Sequence, residues 1–184
     1  MISDRPAIFL DRDGTLVEDT GYLRDPSTVE LFSFVIEGLV ELRRKGYLLY
    51  LVSNQSGVGR GIISTSEFES VHRRIVELLR GGGVELDGYG YCLHTPDAEC
   101  GCRKPRPGLV PQFIYEDRVD LLKSFVIGDR RADVELAHAI GARPFLVMTR
   151  EGVKTRRELQ RSAFKGVWEA GDNLFEIAKK IPAL

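Results

Sequence analysis

Two aspartates, in Asp11-Arg12-Asp13-Gly14-Thr15-Leu16, directly follow the apolar run Ala7-Ile8-Phe9-Leu10. A strand end and the turn that leaves it point successive groups in different directions, so carboxylates at i and i+2 can take separate roles. Asp11 is placed to attack phosphorus, while Asp13 protonates the leaving oxygen and later activates water. Gly14 lets the chain turn away sharply, and Thr15 offers a hydroxyl near the turn. The competing reading is an Asp-Gly turn with incidental carboxylates. Attack by a carboxylate on a phosphate ester, both anionic, needs a cation between them, and Mg²⁺ uses one or two carboxylates plus phosphate and water. Asp129, ending Phe125-Val126-Ile127-Gly128-Asp129, is the natural second carboxylate. Asp133, four residues on, could bind metal, orient a neighbour or favour a helix N-terminus electrostatically.

Ser53-Asn54-Gln55-Ser56-Gly57 supplies hydroxyls, two amides and a turn, donors suited to phosphoryl oxygens, although Asn and Ser also favour turns for local reasons. Gly57, Gly59 and Gly61 do not form a dinucleotide fingerprint; Arg60 between them is a candidate for a second anionic group. Lys104, with Arg103 before it and Pro105 after it, can set a compact positive charge near the nucleophile. Arg130 adjoins the proposed metal and could meet a substrate phosphate. Cys92, His94, Cys100 and Cys102 supply three thiols and an imidazole, the ligands of a closed tetrahedral Zn²⁺ site. With no open position such a zinc is structural, and it would pin the loop ending at Arg103-Lys104. The alternative is three buried small hydrophobes. His72 and His138 fall on helix candidates without a partner that makes them ligands.

These groups need a scaffold. β-rich runs at Ala7 to Asp11, Tyr47 to Ser53, Tyr89 to His94, Ser124 to Asp129 and Pro144 to Thr149 alternate with amphipathic stretches at Val35 to Arg44, Ser66 to Arg80, Asp133 to Gly141 and Asp172 to Lys180. That alternation predicts an α/β domain with a mainly parallel sheet covered on both faces. Gly81-Gly82-Gly83 reads as a helix stop. Asp11, Ser53, the Cys92/His94 pair and Asp129 all fall at C-terminal strand ends, where open parallel sheets place their ligands.

At 184 residues, 43% of them hydrophobic, one domain spanning 1–184 is expected. Lysine and arginine number 26 against 27 acidic residues, so no overall basic field points to nucleic acid or an anionic membrane. No apolar run approaches the roughly 20 residues that span a bilayer, and Met1-Ile2-Ser3-Asp4-Arg5-Pro6 lacks a secretory stretch; a cytoplasmic location is expected. Nothing in the sequence fixes the oligomeric state, and a monomer is compatible with it.

Over nearly the whole chain these residues resemble the haloacid dehalogenase superfamily of phosphatases. Asp11-Arg12-Asp13-Gly14-Thr15 looks like its first motif, Ser53 its second, Lys104 its third and Gly128-Asp129 its fourth. The resemblance implies a Rossmann-like three-layer α/β/α fold, a phosphoaspartate intermediate, catalytic Asp11, Asp13, Ser53 and Lys104, and Mg²⁺ held by the Asp11 side chain, the Asp13 backbone carbonyl and Asp129. Cys-x-His followed by Cys-x-Cys-Arg-Lys-Pro is similar to the zinc-containing branch that holds D-glycero-D-manno-heptose 1,7-bisphosphate 7-phosphatases and histidinol-phosphate phosphatases. Asp19-Thr20-Gly21-Tyr22-Leu23 and the glycine-rich 54–61 stretch look more like the heptose enzymes, and a second phosphate would account for Arg60 and Arg103. Three departures stand out: the short His94–Cys100 spacing is common in histidinol phosphatases, Ser53 stands where threonine is frequent, and Arg130 replaces a frequent lysine. By this resemblance Asp19, Thr20, Gly21, Tyr22, Ser53, Asn54, Gln55, Ser56, Arg103, Lys104 and Arg130 would contact a small phosphorylated sugar, in an open cleft without a large cap domain. Histidinol phosphate is the alternative substrate. A catalytically inactive module that binds through its zinc loop, or action on nucleic-acid ends, would fit the intact motifs and near-zero net charge less well.

Overall fold

Ala7-Ile8-Phe9-Leu10 has no polar side chain and is buried at every position, so it must lie where both faces of a sheet are covered. It does so as strand β1, Ala7–Leu10, in the computed structural model, which describes residues 4–113 and 118–184. Met1, Ile2 and Ser3 of the N-terminal segment considered above lie outside the described residues. The remaining elements are α1 (Val35–Arg44), β2 (Leu48–Asn54), α2 (Ser56–Gly59), α3 (Thr65–Gly81), β3 (Gly88–Cys92), β4 (Phe125–Gly128), α4 (Arg131–Ile140), β5 (Arg143–Val147), α5 (Arg150–Arg161), β6 (Glu169–Gly171) and α6 (Leu174–Lys180). The strands form one sheet in the order β3-β2-β1-β4-β5-β6, with every pairing parallel. Among the described residues no helix is long and apolar enough to cross a membrane.

The two-residue period of β1 divides the core. Ile8 and Leu10 pack with Leu39, Leu42, Val71, Ile75 and Ile177, from α1, α3 and α6. Ala7 and Phe9 face the other way, onto Val110, Phe113, Leu136 and Ala137. Each face buries enough apolar side chain, at about 1.5–3 kcal/mol for a large one, to fix the sheet between helices. Register then levels the strand ends: Leu10 pairs with Leu51 on one side and Ile127 on the other, and Asn54 pairs with Cys92. Asp11, Ser53 and Asp129 therefore leave the sheet along one edge.

The expected helices at 35–44 and 66–80 form, the second opened by a capping box in which Ser64 and Glu67 satisfy one another's backbone N–H. That helix runs through Gly81, and its stop comes at Gly83, whose φ of 79° is left-handed. Three elements were not expected: the one-turn α2 where a turn was read, β6 and α5. β6 has only three residues, and α5 exposes five basic side chains while burying only Gly152, Thr155 and Leu159.

Candidate active site

Asp11 enters the site straight from β1: its backbone N–H donates to Ile127 O at 2.9 Å, which ties the first residue of the turn to β4. Its carboxylate Oδ1 accepts from Lys104 Nζ at 2.7 Å. Burial opposes ionisation of Asp11, and the Lys104 ammonium, with help from the Ser53 hydroxyl, outweighs it and holds the carboxyl below its ordinary range. The side chain is thus kept as the carboxylate a nucleophile must be.

Lys104 is only 6% exposed and uses all three ammonium protons, on Asp11 Oδ1, on Asp133 Oδ1 at 2.6 Å and on Val52 O at 2.7 Å. Burial alone would strip its charge; the two carboxylates reverse that and push its pKa above the usual lysine value. Asp133 is likewise fully engaged, its Oδ2 accepting the Arg130 N–H at 3.0 Å at the start of α4. Of the three roles open to Asp133 in the sequence, its hydrogen bonds serve two, orienting Lys104 and capping a helix.

Asn54 reaches back to the same lysine. Its Oδ1 accepts the Lys104 N–H at 3.0 Å and its Nδ2 donates to the Lys104 carbonyl at 3.1 Å. Expected as a substrate contact, Asn54 spends its amide on holding the 104 peptide across 50 residues of sequence. Gln55 does similar work: its Nε2 donates to Asp13 Oδ2 at 2.7 Å and to Ser53 Oγ at 3.0 Å. Asp13 also accepts three bonds from Arg12, and burial, the largest influence on it, raises its pKa despite that cation. A carboxyl that holds its proton more readily than usual suits a general acid.

Asp129 is fully buried against Gly14, and neither of its oxygens has a hydrogen-bond partner among the described residues. A Cβ on Gly14 would lie 1.8 Å from Asp129 Oδ2, and φ at Gly14 is 78°, so glycine is required there on both counts. Burial first, then Asp11 and Asp133, push Asp129 up to about 8. Carboxylate oxygens of Asp11, Asp129 and Asp133 lie within 4.8 Å of one another. Several buried carboxylate oxygens, two of them orphaned, fit a small hard cation, which would supply the partner the protein withholds.

A second ligand set lies nearby. Cys92 Sγ–Cys100 Sγ and Cys102 Sγ–Cys100 Sγ are both 3.5 Å, and His94 Nδ1 stands 3.7 Å from Cys92 Sγ and 3.2 Å from Cys102 Sγ. The cysteines are free. A tetrahedron with the usual zinc bond lengths has edges of about 3.8 Å between sulfurs and about 3.6 Å from sulfur to nitrogen, so the four atoms already outline a zinc cage. The loop is held to α2 as well: Gln55 N–H donates to Cys92 O and Gly59 N–H to Leu93 O, at 2.7 and 2.9 Å. A Cβ on Gly59 would meet Leu93 O at 2.4 Å, so this contact needs glycine.

A cleft of about 620 Å³ is lined by Asp11, Asp13, Asp19, Gly21, Tyr22, Ser53, Asn54, Gln55, Ser56, Arg103, Lys104, Arg130 and Asp133, among others, while Asp129 lies outside the lining. Arg130 Nη2 is ion-paired with Asp19 Oδ2 at 2.5 Å across the mouth, and Asp19 Oδ1 accepts the Gly21 N–H. Thr20 and Arg60 do not line the cleft, and Arg60 is exposed at the C-terminal end of α2. Conversely Arg131, Glu151, Thr155 and Glu158 line it without having been expected. The last three come from α5, whose polar sequence hid the helix itself.

A parallel α/β sheet that brings an ionised aspartate, a second aspartate, a lysine and an orphaned carboxylate to one strand edge defines a phosphate-ester hydrolase. A hydrolase-like family model described as HAD-hydrolase-like matches residues 101–176. The chain is 39% identical to a D-glycero-beta-D-manno-heptose-1,7-bisphosphate 7-phosphatase of Photorhabdus laumondii, over 86% of this chain and 87% of that protein. It is 34% identical to one of Escherichia coli K12, over 89% and 88%. A crystal structure of D,D-heptose 1.7-bisphosphate phosphatase from B. bronchiseptica, complexed with magnesium and phosphate, superposes with a TM-score of 0.86 at 29% identity, covering 95% of this chain and 97% of that one. The chain belongs to the haloacid dehalogenase superfamily, among its phosphatases.

Proposed function

We propose that this phosphatase removes the 7-phosphate of D-glycero-D-manno-heptose 1,7-bisphosphate in the cytoplasm. The observation that carries the reading is the placement of Arg103 and Arg130 on the wall of the same cleft that has Asp11 and Lys104 within it. One phosphate would meet the nucleophile and the other these guanidinia, which suit bidentate contact with phosphate oxygens. The relatives named for that substrate, similar over most of their length, support it.

Asp11, the Asp13 carbonyl and Asp129 would hold Mg²⁺, which when bound shields phosphate charge from the nucleophile. Cys92, His94, Cys100 and Cys102 would hold a structural Zn²⁺. The Asp11 carboxylate attacks phosphorus, the bond from phosphorus to the sugar oxygen breaks, and Asp13 gives that oxygen its proton. Asp13, now a carboxylate, takes a proton from the water that attacks the aspartyl phosphate, releasing inorganic phosphate and restoring Asp11. Ser53 and Lys104 stabilise the charge on the transferring group.

Purified protein with Mg²⁺ is expected to release phosphate from the heptose 1,7-bisphosphate with a kcat/KM at least tenfold above that for histidinol phosphate; the reverse preference would reassign the substrate. Asp11→Asn should lose turnover at unchanged fold, because the nucleophile is removed at constant shape.

A further inference from the structure

Arg12 stands between Asp11 and Asp13 in the sequence. Its side chain is 1% exposed, among the largest fully buried side chains of the protein. The guanidinium is turned onto its neighbour: Nε donates to Asp13 Oδ1 at 3.0 Å and to Oδ2 at 3.1 Å, and Nη2 to Oδ1 at 2.9 Å. Gln55 Nε2 closes on Oδ2 from the other side at 2.7 Å. The Arg12 carbonyl is fixed too, accepting from the N–H groups of Thr15, Leu16 and Val17 at 3.3, 2.8 and 3.2 Å. Asp13 lines the cleft and Arg12 does not.

This arrangement is costly for the fold. Burying a guanidinium forfeits its hydration, and Nη1 is left without a hydrogen-bond partner among the described residues. An ion pair between adjacent residues closes no chain loop, so it ties no distant parts together in return. Its product is local: a carboxyl group gripped by Arg12 and Gln55, its side chain 16% exposed and lining the cleft.

We infer that Arg12 is a positioning residue for Asp13, its planar two-nitrogen contact holding the carboxyl where it hands a proton to the leaving oxygen. The inference rests on the phosphatase reading and on Asp13 as the acid. A group acting through proton donation matters most when the leaving oxygen is a poor one, as in a sugar or alkyl phosphate. It matters little for p-nitrophenyl phosphate, whose leaving group departs without a proton.

The test is single-turnover phosphorylation of the full-length protein with Mg²⁺, across aryl and alkyl phosphates of graded leaving-group pKa. In Arg12→Met the rate for alkyl phosphates is expected to fall about 10- to 100-fold, the scale of a misplaced catalytic group. The rate for p-nitrophenyl phosphate should stay near wild type, so the dependence on leaving-group pKa steepens. Arg12→Lys keeps the charge but loses the fork, and is expected to show the same steepening; it decides the matter should the Met variant fail to fold. Added to Asp13→Asn, Arg12→Met should bring no further loss. A uniform fall across all leaving groups, or a wild-type slope in either variant, overturns the inference. Wild-type protein that hydrolyses none of the esters overturns the phosphatase reading and this inference with it.

Discussion

Asp129 places a carboxyl group where the described residues offer neither oxygen a hydrogen bond, so ionising it there is costly. Unpaired buried charge destabilises a fold, so the metal-free protein should be weakest where that charge is present. With a folded-state pKa pushed up to about 8 against an ordinary 3.8, the folded protein holds a proton that the unfolded chain has lost. Its contribution to stability is complete below the ordinary range and disappears as pH climbs towards 8. Metal-free wild type should therefore unfold at a lower temperature at pH 8 than at pH 5. Mg²⁺ at 100 times its Kd should restore about 2.7 kcal/mol by mass action. Asp129→Asn removes the charge and is expected to flatten that pH slope, to abolish the Mg²⁺-induced rise in Tm and to eliminate turnover. Thermal unfolding with and without Mg²⁺ at the two pH values checks all three, and a retained Mg²⁺ shift in the variant would place the cation elsewhere.

At the level of elements, Lys104 is not part of the sheet at all, and the strand ends must reach out to hold it. Asn54, the last residue of β2, does this with both ends of its amide. Asn54→Ala would leave the buried Lys104 peptide short of two partners, which should cost about 1–3 kcal/mol of stability for the unmet groups. It should also lower kcat by letting Nζ drift from Asp11, more than it raises KM. Denaturant titration and steady-state kinetics read the two effects, and a change confined to KM would mean that Asn54 serves the substrate instead. The residue type and position of Asn54 were legible in the sequence, but its partner was not. A polar side chain after a strand looks the same whether it faces a ligand or its own chain. The same gap holds for Arg12, whose burial and contact with Asp13 the sequence does not show. Five strands and their shared edge were legible, β1, β2, β4 and β5 as largely apolar runs such as Phe125-Val126-Ile127 and the half-buried β3 through its tyrosines, which favour strands. β6, α2 and α5 were not: three or four residues give no period, and α5 buries only Gly152, Thr155 and Leu159 in a helix otherwise dominated by charge.

Considered as a whole, the molecule separates what keeps it folded from what makes it a catalyst. The buried clusters on either face of the sheet draw on β1, β2, β4 and the helices against them, and none includes His94, Cys100 or Cys102. The proposed zinc ligands instead bracket the loop from Cys92 to Lys104, which returns to the sheet through Asn54 and through Lys104 itself. Zinc binding should then contribute to order in that loop far more than to the cooperative core, in contrast to small domains that fold only with their metal. A thiol-selective chelator, applied in excess Mg²⁺, is expected to leave the far-UV circular dichroism and a single cooperative unfolding transition in place. Phosphate release should nevertheless fall by about tenfold or more, because Lys104 loses its fixed approach to Asp11 and the developing phosphate charge loses its partner. Cys100→Ser should reproduce the effect without chelator, and zinc added back should rescue the chelated wild type but not the variant. Global unfolding on chelation would mean that the loop is integral to the core, and undiminished turnover would mean that Asn54 and the two carboxylates hold Lys104 unaided.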